Sequence, residues 1–430
     1  MVVRFVVLES SILFNKAKLD DYMEIDLEFD RDDKCVPLDR RPHISLLLGA
    51  GFSVPAGYPT SIQLGEKLLS LNGIGFTVDG NIVDEEESKR TQMVFNPFEL
   101  AFLFCKEIMG VYADNNNGVL DYESFYDFIN IGDGINGEPY LTIGKKYTNP
   151  SFSFNYGQLV SKLLTVFNCI ISYLLKDSSG RNNYENMPYQ IGTVEGYSGF
   201  LKYLSSKKET SIINVHTLNH DLFFDYLNKT ELLAGAVSDG FDEFGSPYFG
   251  VLTTGDKCIL ERFTNRYDSA IRLYKLHGSL DYVLFRKSTK NGYLIADNYV
   301  KIKQSTGMEP ILKSRGRKMY YDEYHFAYHS DFLTGSTSKI LRYDDSLMYK
   351  KLFKHFKRNL RKSEELILIG YGCKDLEINK MIKDNFEYTS KKIIIVDPFA
   401  GDAVKSFAKR CNAFIANTTL EEFSINEYGS

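Results

Sequence analysis

Short apolar runs bounded by turn residues recur along this chain, and they predict the strands of a buried sheet. Four of these runs cover residues 44–48, 211–215, 366–369 and 393–396. Runs of this length suit the centre of a parallel sheet that helices cover on both faces. Each of the first three leads through a polar turn into a helical pattern. We therefore predict an α/β fold, with a Rossmann-like parallel sheet and helices on both faces.

Helical periodicity replaces the strand pattern between residues 76 and 205. It runs through "NPFELAFLFCKEIMGVY", "DYESFYDFINI" and "LVSKLLTVFNCIISYLLK". Polar residues interrupt the third segment and it falls short of about 20 clean apolar residues, so we interpret it as a core helix and expect no membrane span. We predict an N-terminal extension over 1–42, a split sheet domain over 43–75 and 206–430, and a helical insertion over 76–205. Hairpins and loops are expected at 283–340.

The composition indicates a soluble globular protein of the reducing cytosol. Of 430 residues, 43% are hydrophobic and 25% are charged, and the six cysteines show no metal-ligand or redox spacing. Scattered thiols are typical of a cytoplasmic protein, and the N-terminus lacks a secretory cleavage site. The net charge of −5 gives no basic footprint, so direct nucleic-acid binding is not expected. A local basic patch stays open, and we interpret the basic run at 354–362 as a solvated helix face.

A glycine-containing turn follows the first predicted strand. The stretch "ISLLLGAGFSVPAGYP" places Gly49, Ala50 and Gly51 at the strand end, with Ser53 two residues on. Glycine lets backbone N–H groups approach a pyrophosphate, and the next helix N-terminus favours an anion. The alternative is a tight turn that needs glycine only for its dihedral angles.

Polar side chains follow two further strand ends. In "NVHTLNHD", the residues Thr217, Asn219 and Asp221 alternate, and in "YKLHGSLDY" His277 follows an apolar residue. Ligands bind at the carboxyl ends of the strands in open α/β sheets, so these side chains are candidates for a site. Taken singly, Asn219 and Asp221 could be a turn and a helix cap, and His277 a structural histidine.

The ordered set GAGxS, TxNxD and LHGS resembles the sirtuin superfamily, specifically the bacterial sirtuin-like branch that hydrolyses NAD in antiphage defence. The resemblance covers about residues 43–75 and 206–415. It continues in "LILIGYGCKDLEINKMI", where Gly370, Tyr371 and Gly372 match the glycine-containing turn of the family. It ends in "IIIVDP", where Asp397 closes the last strand.

This resemblance implies roles for individual residues. Asn219 would contact the nicotinamide ribose and position a water molecule, Asp221 would support the site, and His277 would be the general base. The residues implied to bind NAD are Gly49, Ala50, Gly51, Ser53, Thr217, Gly370, Tyr371 and Asp397. NAD would then be the substrate, and the products would be nicotinamide and ADP-ribose.

The chain departs from the protein-deacylating sirtuins in two places. Those enzymes carry two Cys-x-x-Cys pairs for zinc after the histidine, whereas the next cysteine after His277 here is Cys373. We therefore expect no zinc and no other metal. Where they continue GIPDFR after the glycine turn, residues 57–62 read GYPTSI and lack the arginine. An NAD-dependent deacylase and a non-catalytic NAD- or ADP-ribose-binding module stay open as alternatives.

The resemblance also implies control of the activity. Relatives that deplete NAD are typically held in oligomers or paired with a sensor, such as a HerA-family DNA translocase. No sensor domain is evident in this sequence, because the sheet motifs run to about residue 400. We expect a homo-oligomer or such a partner.

Overall fold

A computed structural model gives the fold. It describes residues 38–91, 95–131, 134–175, 194, 196–252, 254–288, 294–302, 312–315, 318–321, 330, 332–335, 338–341, 343 and 347–423. Residues 36–430 form one compact unit. The predicted N-terminal extension lies, as far as residue 37, outside the described residues.

Strands and helices are numbered here in chain order within the described residues. The strands are β1 (His43–Leu48), β2 (Ile74–Phe76), β3 (Ile82–Asp84), β4 (Ile212–Thr217), β5 (Val237–Ser238), β6 (Phe241–Asp242), β7 (Tyr248–Val251), β8 (Lys257–Ile259), β9 (Arg262–Phe263), β10 (Ile271–Lys275), β11 (Tyr282–Ser288), β12 (Leu294–Lys301), β13 (Leu312–Arg315), β14 (Lys318–Tyr321), β15 (Ser363–Ile369), β16 (Lys392–Val396) and β17 (Phe414–Ala416). The helices are α1 (Ser61–Leu69), α2 (Glu85–Thr91), α3 (Pro97–Asp114), α4 (Tyr122–Ile131), α5 (Tyr140–Lys145), α6 (Tyr156–Leu174), α7 (Ser198–Lys207), α8 (Phe223–Leu227), α9 (Ser338–Leu341), α10 (Tyr349–Lys362), α11 (Leu376–Asn385) and α12 (Asp402–Cys411).

The main sheet has seven parallel strands in the order β17-β16-β15-β1-β4-β10-β5. All four predicted strands belong to it, as β1, β4, β15 and β16, and the predicted α/β fold is confirmed. The chain first builds outward from β1 through β4 and then returns to its other side at β15. This reversal between β1 and β15 is the place where open α/β sheets bind ligands.

Helices cover both faces of the sheet because its strands are apolar on both sides. Leu47 of β1 joins a buried cluster with α10, α11 and α12 on one face. Its neighbours Leu46 and Leu48 join a second cluster with α7 and α8 on the other. Successive side chains of a strand point to opposite faces, so one short apolar run serves two cores.

The helices α3, α4, α5 and α6 form a third buried cluster. Helix α6 begins with a capping box between Asn155 and Gln158, which satisfies two free N–H groups. Among the described residues α6 is the one helix long and apolar enough to cross a membrane, with a mean hydropathy of 1.3 and 44% of it buried. Its apolar side packs against α3 and α4, as predicted for a core helix. The sequence pattern missed the short β2-β3 hairpin.

Antiparallel strands occupy most of the remaining described chain. The hairpin of β11 and β12 extends through β9 to β6, and the hairpin of β13 and β14 extends through β7 to β8. These hairpins lie within the segment where the sequence predicts them. The first carries Lys301 into a group of buried charges beside the candidate site.

Candidate active site

The turn after β1 is bonded directly to the end of β15. Gly49 N–H donates to Ile369 O and Gly51 N–H donates to Gly370 O, both at 3.0 Å. A Cβ on Gly49 would lie 2.6 Å from Gly370 O, and a Cβ on Gly51 would lie 2.8 Å from Gly370 Cα. Glycine is required here because two backbones meet at the point where the strand order reverses.

Four of the five amides in this turn are already used within the protein. Besides those of Gly49 and Gly51, Phe52 N–H donates to Gly49 O at 2.9 Å and Ser53 N–H to Ala50 O at 3.1 Å. Only the Ala50 amide has no backbone acceptor within the described chain. The glycines therefore shape the backbone of this turn, and the Ala50 amide is the one of the five that could still donate to an anion.

Asn219 ties the end of β4 to this turn. Its Nδ2 donates to Gly49 O and to Ser53 Oγ, each at 3.0 Å. Its backbone N–H donates to Thr217 Oγ1 at 3.0 Å. The two bonds from Nδ2 therefore fix the plane of the side-chain amide. Thr217 is buried and acts here through Asn219.

Asp221 completes the same network from beneath. Its Oδ1 accepts from Phe223 N–H at 2.9 Å, which starts the short helix α8, and its carboxylate also bonds to the Ser53 side chain. Burial raises the pKa of Asp221 above its usual range. Asp221 thus closes a turn ahead of α8, whose N-cap is Leu222, and also supports Ser53 and, through it, Asn219.

Lys275, the last residue of β10, anchors this loop from the next strand. Its Nζ donates to Asp221 O at 2.6 Å and pairs with Asp225 at 2.9 Å, while its side chain is 1% exposed. Lys301 adds a second cation, 3.5 Å from Asp225 and 3.9 Å from Asp281. Sequence reasoning missed these residues because β9 to β12 bring them together across the fold.

His277 lies at the end of β10, one strand away from Asn219. Its side chain is buried, and among the described residues its Nε2 has no hydrogen-bond partner. Burial, then the charges of Lys339 and His220, lowers the pKa of His277 well below its ordinary value. The imidazole is therefore neutral at physiological pH, so one ring nitrogen can accept a proton.

An ion bridge beside His277 joins the helical cluster to the sheet. Asp375 Oδ2 lies 4.0 Å from His277 Nε2 and 3.0 Å from Lys339 Nζ. Lys339 Nζ also pairs with Glu123 of α4 at 3.2 Å. Asp375 is fixed because its Oδ1 accepts the N–H groups of Glu377 and Ile378 at the start of α11. The sequence predicts a polar turn before this helix, but it does not predict the bridge.

Residues 332–335 lie over the His277 turn. Leu333 N–H donates to His277 O at 2.7 Å, and Phe332 pairs with Gly278 in an antiparallel bridge. The Phe332 ring also packs against His220, with 4.6 Å between ring centroids. His220 is buried, and burial lowers its pKa to about 3. These contacts account for the low exposure of His277.

Tyr371 and Asp397 lie at the neighbouring strand ends. Tyr371 OH donates towards Asp375 O at 3.1 Å and Asn379 Oδ1 at 3.0 Å, so it shapes the turn that carries Asp375. Asp397 Oδ1 accepts from Phe399 N–H at 2.8 Å. Beside it is a cavity of about 450 Å³ that is lined by Pro398, Phe399, Ala400, Lys405, Ile415 and Asn417.

The structure thus unites most of the predicted residues in one hydrogen-bonded group. That group comprises Gly49, Ala50, Gly51, Ser53, Thr217, Asn219, Asp221 and Gly370. His277 and Tyr371 meet instead at Asp375, and Asp397 adjoins the group through the bond from Gly370 N–H to Val396 O. In the described part of the chain no cluster of three His, Cys, Asp or Glu could hold a metal.

No protein-family model and no curated protein matches the chain. Solved structures similar to it include a Sir2 homologue in complex with NAD, with 10% identity, a TM-score of 0.33, and 90% of this chain and 87% of that chain covered. A mutant Sir2 homologue in complex with 2′-O-acetyl ADP ribose has 10% identity and a TM-score of 0.32, with 90% of each chain covered. A third, solved for the mechanism and regulation of Sir2 enzymes, has 13% identity and a TM-score of 0.33, with 90% and 91% covered. At this identity and TM-score the likeness is remote.

Proposed function

We propose that this chain hydrolyses NAD at the bond between nicotinamide and ribose, releasing nicotinamide and ADP-ribose. The observation that carries the proposal is the Asn219 amide, which bridges Gly49 O and Ser53 Oγ at the strand-order reversal. A neutral histidine, His277, stands at the end of the adjacent strand with Nε2 unpaired among the described residues. The choice of NAD as the substrate rests on the sirtuin-like motifs GAGxS, TxNxD and LHGS.

Each group suits one need of this reaction. Breaking the nicotinamide–ribose bond develops an oxocarbenium-like sugar, so the protein must hold the ribose, place a water on one face and accept a proton. Asn219 has a fixed amide that can orient a hydroxyl without titrating. His277 is neutral and can take the proton. Its strongly lowered pKa makes it a weak base in this closed arrangement.

We further propose that the activity serves antiphage defence by NAD depletion and is controlled by assembly or by a partner. The His277 turn is buried beneath residues 332–335 and beside the Lys339 bridge. Such burial favours a restrained state that needs a trigger. The proposal that assembly or a partner controls the activity would be contradicted if size-exclusion chromatography with light scattering showed a stable monomer and that monomer were fully active.

The test is nicotinamide release from NAD by the purified chain, with and without candidate partners. We expect Asn219→Ala and His277→Ala each to lower turnover at least about a hundredfold, the scale of a lost acid–base or electrostatic group. The matched control is His43→Ala, since His43 lies at the opposite end of β1 from the glycine turn. It should keep the wild-type rate.

Three results would point elsewhere. Near-wild-type turnover in both site variants would refute the residue roles. Nicotinamide release only after an acylated peptide is added would identify a deacylase. Tight NAD binding without turnover under every activating condition would identify a binding module.

A further inference from the structure

Helix α10 presents a continuous face of positive charge to solvent. Seven of its 14 residues are lysine or arginine, and none is acidic. At 3.6 residues per turn, all seven fall within an arc of about 140°. We call the surface formed by these seven residues the basic face, and Lys350, Lys354, Lys357 and Arg361 form one line along it. All seven cations are exposed except Lys357, which is half-buried.

The apolar side of α10 is already packed. Leu352, Phe353, Phe356 and Leu360 are buried in the core under the main sheet. The basic face itself carries no exposed apolar or aromatic side chain. The helix therefore has no apolar surface left to insert into a membrane or to anchor a protein interface.

The charges of the basic face are not neutralised nearby. Within the described part of the chain, none of its cations forms a salt bridge with a carboxylate. Arg358 instead contacts His355 Nδ1 at 2.7 Å. Burial, then the charges of Arg358, Arg272 and Lys354, lowers the pKa of His355 to about 4. The neighbouring cations thus add to the effect of burial on this histidine.

We propose that the basic face binds the phosphate backbone of double-stranded nucleic acid without regard to sequence. Protein interfaces are depleted in lysine and rely on buried apolar anchors, which this face lacks. Single-stranded binders stack bases on aromatic side chains, which are also absent from it. Lysine contacts to phosphate need only charge and proximity. The helix, about 21 Å long, spans about six base pairs.

The net charge of −5 does not oppose this proposal, because it averages over 430 residues. Association depends on the local potential, which the seven cations of this one helix dominate. The basic face is the kind of local basic patch that the net charge of the whole chain does not exclude.

The test is fluorescence anisotropy of a labelled 24-base-pair DNA duplex titrated with the full chain at 50–200 mM salt. Four phosphate contacts predict a log–log salt slope of about −3.6, and so a loss of affinity of about 150-fold across that range. The triple variant Lys354→Gln, Lys357→Gln, Arg361→Gln should reduce the slope to about −1. Glutamine is a good helix former, so the fold should be unchanged.

The matched control removes three exposed lysines from other helices and loops, Lys67→Gln, Lys202→Gln and Lys229→Gln. It has the same net charge and should keep the wild-type slope. No anisotropy change up to about 100 μM chain at 50 mM salt would overturn the proposal, since nonspecific binding reaches this range. Equal losses in the two triple variants would overturn it as well. Binding to polyglutamate but not to the duplex would assign the face to an acidic protein.

Discussion

Replacing Gly370 by alanine tests whether the meeting of two backbones at the strand-order reversal holds the site together. Gly370 has a φ of +58°, in the left-handed region. An added Cβ would lie 2.3 Å from Phe52 N and 2.4 Å from Gly51 C. Both atoms belong to the backbone of the glycine turn, so neither can rotate away. The turn itself must move.

The expected loss follows from two costs. A left-handed backbone costs a residue other than glycine about 1–2 kcal/mol. Forcing an extra methyl group into a packed region costs about 1–3 kcal/mol. Gly370→Ala should therefore lower the free energy of unfolding by about 2–5 kcal/mol. Displacement of the turn should also lower NAD turnover, because Asn219 is anchored to Gly49 O.

Urea unfolding followed by circular dichroism measures the first effect, and nicotinamide release measures the second. The matched control is Gly372→Ala, two residues away, where a Cβ meets nothing within 4 Å and φ is not positive. It should stay within about 0.5 kcal/mol of the parent chain. If Gly370→Ala also unfolds within that margin, the close approach does not exist and the reasoning fails.

Two further variants test the buried charges. The His216 ring is buried, neither nitrogen has a partner among the described residues, and burial lowers its pKa to about 3; its stabilising contribution is complete above pH 6.5 and lost as the pH falls towards 3. Between pH 6 and pH 4, the free energy of unfolding should therefore fall by about 2–3 kcal/mol less in His216→Phe than in the parent chain. If urea unfolding shows the same fall in both proteins, this expectation is contradicted. Lys339→Met should cost about 3–5 kcal/mol and move the acid limb of turnover to higher pH, because the Lys339 charge lowers the pKa of His277. The control is Lys89→Met, which removes an exposed ion pair with Glu85 and should change stability by less than about 1 kcal/mol. If the acid limb of turnover does not move in Lys339→Met, the coupling between Lys339 and His277 is refuted.

Local patterns were enough to predict four of the seven strands of the main sheet and the polar turns that follow them. Apolar runs are properties of adjacent residues, so the sequence locates β1, β4, β15 and β16 to within a few positions. Caps are equally local. Thr60 caps α1 through a capping box, and Asp375 caps α11, each directly before the first residue of its helix.

The meaning of the glycine turn changed once its partners were known. The sequence predicts amides that face a phosphate, but Gly49 and Gly51 donate to carbonyls at the end of β15. Those carbonyls lie more than 300 residues further along the chain than the glycine turn, so no local sequence pattern can predict the contact. The same holds for Ser53, which the sequence suggests as a ligand contact and the structure buries between Asn219 and Asp221.

The sequence alone determined four strands of the main sheet and the polar residues that follow them, because strand formation and turn chemistry depend on neighbours along the chain. Tertiary structure alone decided the chemistry of those residues. Lys339 is 216 positions from Glu123, yet it links Glu123 to Asp375 beside His277. The pKa of His277 follows from that charge and from burial, and both are properties of the packed fold.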